Sequence, residues 1–163
     1  MRTSLSIFIL IAFLTGCAPA ISQQARDRVT LKIPFSDLLK DPQRLKGEVV
    51  LLGGKIITTT PNEQGTELVV LQLPLEIGMR PGTKSTSEGR FLVQTDEFLD
   101  PAVFAPDRRV TLVGEIQGVE TRPLGQTVYR YPELTLIEMK LWPEEDIYRE
   151  PRFHFGFGVG THF

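Results

Sequence analysis

The chain holds one cysteine, Cys17, and two histidines, His154 and His162, so its supply of strong nucleophiles and metal ligands is small. The histidines lie in the last ten residues, and neither has a cysteine to pair with. Eight residues apart on one face of an extended segment, they would stand roughly 26 Å from each other. Imidazole ligands of one metal must all come to about 2 Å, so this pair makes no site without a turn between them. There is no Gly-Xaa-Ser-Xaa-Gly segment, no glycine-rich phosphate loop and no His-Glu-Xaa-Xaa-His. The aspartates and glutamates are spread over turns and strand faces, where carboxylates are ordinarily solvated. No catalytic residue, metal ligand or cofactor site is therefore expected, and the chain is read as a non-enzyme. A hydrolase working with carboxylates alone stays open, because their pairing in space is invisible in a sequence.

The thiol chemistry that remains is set by what precedes it. Met1 to Ser4 carries one positive charge, Leu5 to Phe13 is apolar apart from Ser6 and Ala12, and small residues follow. That run is too short to span a bilayer, which takes roughly 20 apolar residues. Leu14-Thr15-Gly16-Cys17 resembles the bacterial lipobox. The resemblance implies a signal peptide over residues 1–16, a cut between Gly16 and Cys17, diacylglycerol on the Cys17 thiol and acylation of the new amine. Attachment to a membrane through that lipid is then expected, and the lipid is the only added group. An ordinary secretory signal with an incidental cysteine is the competing reading.

The 163-residue chain has 18 Lys plus Arg against 20 Asp plus Glu, and residues 1–16 contain only Arg2, leaving 17 against 20. Both signs are scattered, with no basic stripe for phosphates, which argues against nucleic acid as a partner. A lipidated sole cysteine forms no disulfide, so the fold must rest on its apolar core. Residues 17–28 lack an apolar period and read as a flexible tether, residues 29–145 as one folded domain, and residues 146–163 as a Phe- and Gly-rich tail.

Within the domain, Ser36 to Lys40 predicts a helical turn capped by Ser36 and ended before Pro42. Glu48 to Thr60 is a long strand, apolar on both faces, with Gly53-Gly54 marking a bend. Thr66 to Leu73 follows after a turn, with Val69, Leu71 and Leu73 on one face. Pro74 to Gly89 reads as a long polar loop, Arg90 to Thr95 as a short strand, and Asp96 to Phe104 as a short helix or turn. Arg108 to Val119 alternates most cleanly, placing Val110, Leu112, Gly114 and Ile116 together, with Val113 as the exception. In Gln126 to Trp142, Leu134 and Leu136 share one face while Ile137, Met139 and Leu141 share the other. Such a change of apolar face is expected where a strand passes from one sheet to another. Five strands with a helical turn between the third and fourth predict a mainly β chain. The expected form is a small OB-like Greek-key barrel with one or two short helical turns.

Three segments in this order resemble the Slp family of bacterial outer-membrane lipoproteins. They are the lipobox at Cys17, the stretch Leu45 to Gly54, and Tyr129-Arg130-Tyr131-Pro132-Glu133 leading to Leu141-Trp142-Pro143. Arg109 to Glu115 fits between them. The resemblance implies a lipid-anchored protein of the outer membrane, facing the periplasm and associated with starvation or stress. It implies no defined reaction. Ala18, rather than aspartate, follows the cysteine, which agrees with outer-membrane sorting.

For ligands, the expected residues are Tyr129, Arg130, Tyr131 and Trp142 on the last strand, although tyrosine and tryptophan also serve in cores. The tail from Phe153 to Phe163 alternates aromatic or β-branched residues with Gly and His. It can join its own sheet, pair with a partner strand, or rest on a membrane interface. The resulting reading is a periplasm-facing β-domain that binds an envelope component or a protein partner. The alternative is a carrier or sensor that holds a small ligand in the barrel mouth.

Overall fold

A computed structural model of the protein describes residues 19–82 and 86–144. Five strands form a closed barrel in the order β1-β2-β3-β5-β4, with β1 spanning Val49–Asn62, β2 Gly65–Gln72, β3 Arg90–Thr95, β4 Arg109–Leu124 and β5 Thr127–Leu141. All neighbours are antiparallel except β3 and β5, whose parallel register (Leu92 opposite Glu133, Gln94 opposite Thr135) closes the barrel. This is the OB-type arrangement that the strand count predicted.

The bend in β1 makes closure possible. Its first half pairs with β4, from Val49 opposite Glu115 to Lys55 opposite Arg109. Its second half pairs with β2, from Gly54 opposite Gln72 to Asn62 opposite Gly65. Gly54 and Lys55 lie in both ladders, so β1 changes partner there. A Cβ on Gly54 would sit 2.6 Å from the Leu71 carbonyl oxygen, and one on Gly53 would sit 2.9 Å from that of Leu73. Only glycine permits backbones this close.

The interior is filled by Val50, Leu52, Ile56, Leu68, Val70, Phe91, Val93, Val110, Leu112, Ile116 and Leu134, all buried. On β2 the barrel takes the opposite face from the one that the Val69, Leu71 and Leu73 pattern suggested, burying Leu68 and Val70. The change of face in β5 is not a passage between sheets. Val113 pairs with Glu138 and Gly114 with Leu136, so Ile137 is an extra residue, a β-bulge. The bulge resets the alternation, and Leu134, Leu136, Met139 and Leu141 all meet one core while Ile137 turns outward.

Both ends of the barrel are plugged. Helix α2, Phe35–Lys40, delivers Phe35 against Phe91 near the start of β3, with ring centroids 5.7 Å apart. Its N-cap is Pro34, without a side-chain bond, so Ser36 lies inside the helix rather than capping it. Beyond the end of β3, residues 96–108 form turns without a helix, and there Leu99 and Phe104 join the core.

The distal part of the expected tether is structured. Gln23–Asp27 forms helix α1, Ser22 caps it by accepting a bond from Ala25 N, and Ile21 and Ala25 are buried against Val49 and Val113. This second cluster explains Val113, the exception in the β4 alternation: it faces outward beneath α1. The segment lacks an apolar period because two residues, Ile21 and Ala25, suffice to dock five helical residues.

Candidate functional site

OB-type barrels commonly receive ligands on the outer face of β2 and β3 and on the adjoining loops. Here β4 and β5 run past the barrel as a hairpin, pairing Val119 to Leu124 with Thr127 to Pro132. The paired residues Glu120 and Tyr131, and Arg122 and Tyr129, share one face of the hairpin. That face turns onto β2 and β3. Arg122 donates to both Glu67 carboxylate oxygens at 2.6 Å and to both oxygens of Glu120 at 2.7 and 2.9 Å. Gln94 Nε2 adds a bond to Glu67 Oε2 at 2.8 Å. On the same side, Tyr129 Oη accepts from Arg90 N at 2.9 Å. Beneath the hairpin, Leu92 lies outside the interior cluster yet is fully buried.

The electrostatics of this cluster are those of a clamp. The hydrogen bonds from Arg122 hold the Glu67 carboxyl below its ordinary range, against the opposing effect of burial. The Arg122 guanidinium is held more firmly protonated by Glu67 and then Glu120. Two carboxylates do meet here, but with arginine between them, and Glu67 stays ionised with both oxygens occupied. An acid catalyst needs a raised carboxyl and a base needs a free lone pair. Glu67 is lowered rather than raised, and three hydrogen bonds already fall on its two oxygens.

The four aromatic and basic residues expected to bind a ligand do not form one site. Tyr129 and Tyr131 meet at 4.6 Å between centroids with their rings tilted by 58°, Tyr131 buried, both within the clamped face. Arg130, on the alternate face of the strand, is exposed. Trp142 lies beyond the far end of β5, where its Nε1 donates to Thr111 Oγ1 at 2.9 Å and Arg80 stacks over its ring at 5.2 Å. Thr111 Oγ1 in turn donates to the Met79 carbonyl at 2.6 Å, and Arg109 donates to that of Pro81 at 3.0 Å. Residues 75–81 are thereby bolted to β4. The barrel mouths themselves are filled by Phe35, Leu38, Leu99 and Phe104.

Sequence reasoning missed Glu67, Gln94, Glu120 and Arg122. Glu120 and Arg122 are two apart and so share a strand face, a signal that was present. Glu67 is 55 residues from Arg122, and only the fold joins them. Gly16, Cys17, His154, His162 and the alternating tail lie outside the described residues. Among the described residues no group of three His, Cys, Asp or Glu could hold a metal, and no helix is long and apolar enough to cross a membrane.

The family described as outer membrane lipoprotein Slp matches residues 14–158. The lipoprotein YeaY of Escherichia coli is 28% identical over 129 residues, covering 79% of this chain and 66% of that one. The outer membrane protein Slp of the same organism is 22% identical over 158 residues, covering 96% and 84%. Among solved structures, a small single-stranded DNA-binding protein from Streptomyces coelicolor is similar at a TM-score of 0.36 and 13% identity, over 57% of this chain and 92% of that one.

Proposed function

This chain belongs to the outer membrane lipoprotein Slp family, and from that premise we propose a lipid-anchored, non-enzymatic barrel held close against the periplasmic face of the outer membrane. There it binds an envelope component or a protein partner, with synthesis expected to rise in starvation or stress. The anchor is the lipid on Cys17, exposed by cleavage after Gly16. Each buried methylene of that lipid is worth about 0.8 kcal/mol, so several chains hold permanently.

The observation that carries this reading is the docking of Ile21. It is fully buried against the barrel, and Ser22 beside it is hydrogen-bonded to Glu138. Only three residues, Ala18 to Ala20, separate Cys17 from this fixed point, and the four steps reach at most about 14 Å. The barrel is held beside the leaflet at a defined edge, an arrangement suited to recognition at the membrane surface. Non-enzymatic character is supported by the Glu67, Glu120 and Arg122 cluster, whose charges are spent on each other.

Fractionation with protease protection tests the reading. The wild-type protein is expected in the outer membrane, shielded in intact cells and cut once that membrane is permeabilised. Cys17→Ser lacks the thiol that accepts the lipid and is expected to stay unprocessed. Normal processing of Cys17→Ser, or cleavage of the wild type from outside intact cells, would refute it.

A further inference from the structure

Between the segment leading into α2 and the first half of β1 runs an apolar groove, beside the mouth plugged by Phe35 and Leu38. A cleft of about 360 Å³ is lined by Val29, Leu31, Ile33, Phe35, Leu51 and Leu52 among others, and has Arg26 and Lys32 at its border. A second cleft of about 290 Å³ shares Ile33, Phe35, Leu51 and Leu52 with the first and continues the groove toward Leu75 and Glu88. Leu31, Ile33 and Leu51 are only half buried, so both walls keep apolar surface in contact with solvent. The combined space is in the range of small-molecule sites.

The two ends differ in charge. Arg26 and Lys32 border one end. Arg26 gives one guanidinium nitrogen to Gln23, but its Nε is shielded from water and meets no acceptor among the described residues. Lys32 is exposed and has no ion pair among them. The other end carries Glu88, already bound to the amide of Ser36. An apolar slot with cations at one end and a carboxylate at the other selects both a ligand and its direction.

We propose that this groove binds one acyl chain of an anionic amphiphile, with the head group between Arg26 and Lys32 and the chain running along β1 toward Leu75. The shared chemistry is a long alkyl chain next to a carboxylate or phosphate, supplied by a free fatty acid or by a phospholipid. The inference rests on the envelope placement above for access to such molecules. It moves ligand binding from the filled barrel interior to a cleft beside the Phe35 and Leu38 plug.

The test uses cells making the full-length protein, fed a long-chain fatty acid that carries a diazirine and an alkyne, then irradiated. Labelled peptides are mapped by mass spectrometry, and the same cells are fractionated. Adducts are expected on peptides spanning residues 29–35 and 50–52, with the mass of a free carboxylate or of a phospholipid naming the source. Leu31→Trp, which fills the slot, should lower this labelling by about tenfold. Arg26→Gln, half buried, combined with Lys32→Gln, exposed, should lower it by about threefold or more while the barrel stays folded. Protein found in the outer membrane without groove adducts would overturn the inference while leaving the anchored reading intact. Adducts formed by the lipid on the chain's own Cys17, labelling only after removal of residues 146–163, or labelling unchanged by loss of both cations would each overturn it as well. Protein absent from the outer membrane would instead count against the placement itself.

Discussion

Ser22 and Glu138, 116 residues apart, are joined twice: Ser22 N donates to Oε1 at 2.7 Å and Ser22 Oγ donates to Oε2 at 2.5 Å. Ser22 Oγ also accepts from Ala25 N at 3.1 Å, so one hydroxyl caps α1 and ties it to β5. Replacing Ser22 by Ala removes the cap and one of the two bonds to Glu138. The expected cost is about 1–3 kcal/mol, near the sum of a lost cap and a charge-assisted bond. Hydrogen exchange over residues 22–29 should accelerate while the barrel amides stay protected. Unchanged exchange there would mean that α1 is not docked in solution, and the short-leash argument would fail with it.

Arg122→Ala removes the clamp from the β4–β5 hairpin and leaves the Glu67 carboxylate, mostly shielded from solvent, without its cation. Because Arg122 is about one-third exposed, water partly compensates, and a loss of about 1–3 kcal/mol is expected. The pH dependence follows from the Glu67 shift. Its folded pKa lies below the ordinary 4.5, so the pair's contribution is full above that value and fades as pH falls through the lowered folded one. Denaturant melts of both proteins between neutral pH and about pH 3 should therefore converge in acid. A difference that persists at the acid limit would assign the effect to packing of the arginine stem.

The barrel was legible where sequence period and burial coincide. Val110, Leu112 and Ile116 alternate on β4 and fill the interior; Gly53-Gly54 announced the bend. Three features were hidden. The Ile137 bulge looks in sequence like a change of sheet, because a single inserted residue and a change of sheet both reverse the apolar face. The α1 segment has too few apolar residues to show a period, yet Ile21 and Ala25 find a ready surface in Val49 and Val113. The Glu67–Arg122 pair requires the hairpin to fold back on β2, a contact that no local pattern encodes.

Gly54 and Gly125 should respond in opposite ways to the same change. Gly125, at the hairpin tip, has φ of 61° and open space around its Cα, so Gly125→Ala costs only the left-handed conformation, about 1 kcal/mol. Gly54→Ala forces a Cβ to 2.6 Å from the Leu71 carbonyl oxygen, where backbone rather than a flexible side chain must yield. Parting β1 from β2 there should cost more than about 3 kcal/mol or prevent folding. Equal melting temperatures for the two variants would show that β1 is not shared between β2 and β4 at Gly54.

Leu112 is fully buried among residues from the other strands. Leu112→Ala should cost about 2–5 kcal/mol, as expected when a cavity opens in a packed interior. A loss below about 1 kcal/mol in a chemical melt would place this face of β4 in solvent and remove the closed barrel.

Trp142→Phe separates an anchoring role from a ligand-binding one. The change keeps an aromatic ring under Arg80 but deletes the indole donor to Thr111 Oγ1. Thr111 itself is buried and still donates to the Met79 carbonyl, so residues 75–81 should loosen without detaching. A stability loss of about 0.5–1.5 kcal/mol is expected, the ordinary worth of one hydrogen bond. Limited proteolysis should show faster cutting near Ile77, which stands fully exposed at the tip of that loop. Groove labelling by the photoreactive fatty acid on residues 29–35 and 50–52 should hardly change, because Trp142 lies outside the groove and of the loosened segment only Leu75, at the far end, lines it. If labelling falls while cutting at Ile77 does not, Trp142 contacts the ligand, and the loop anchor described here is secondary.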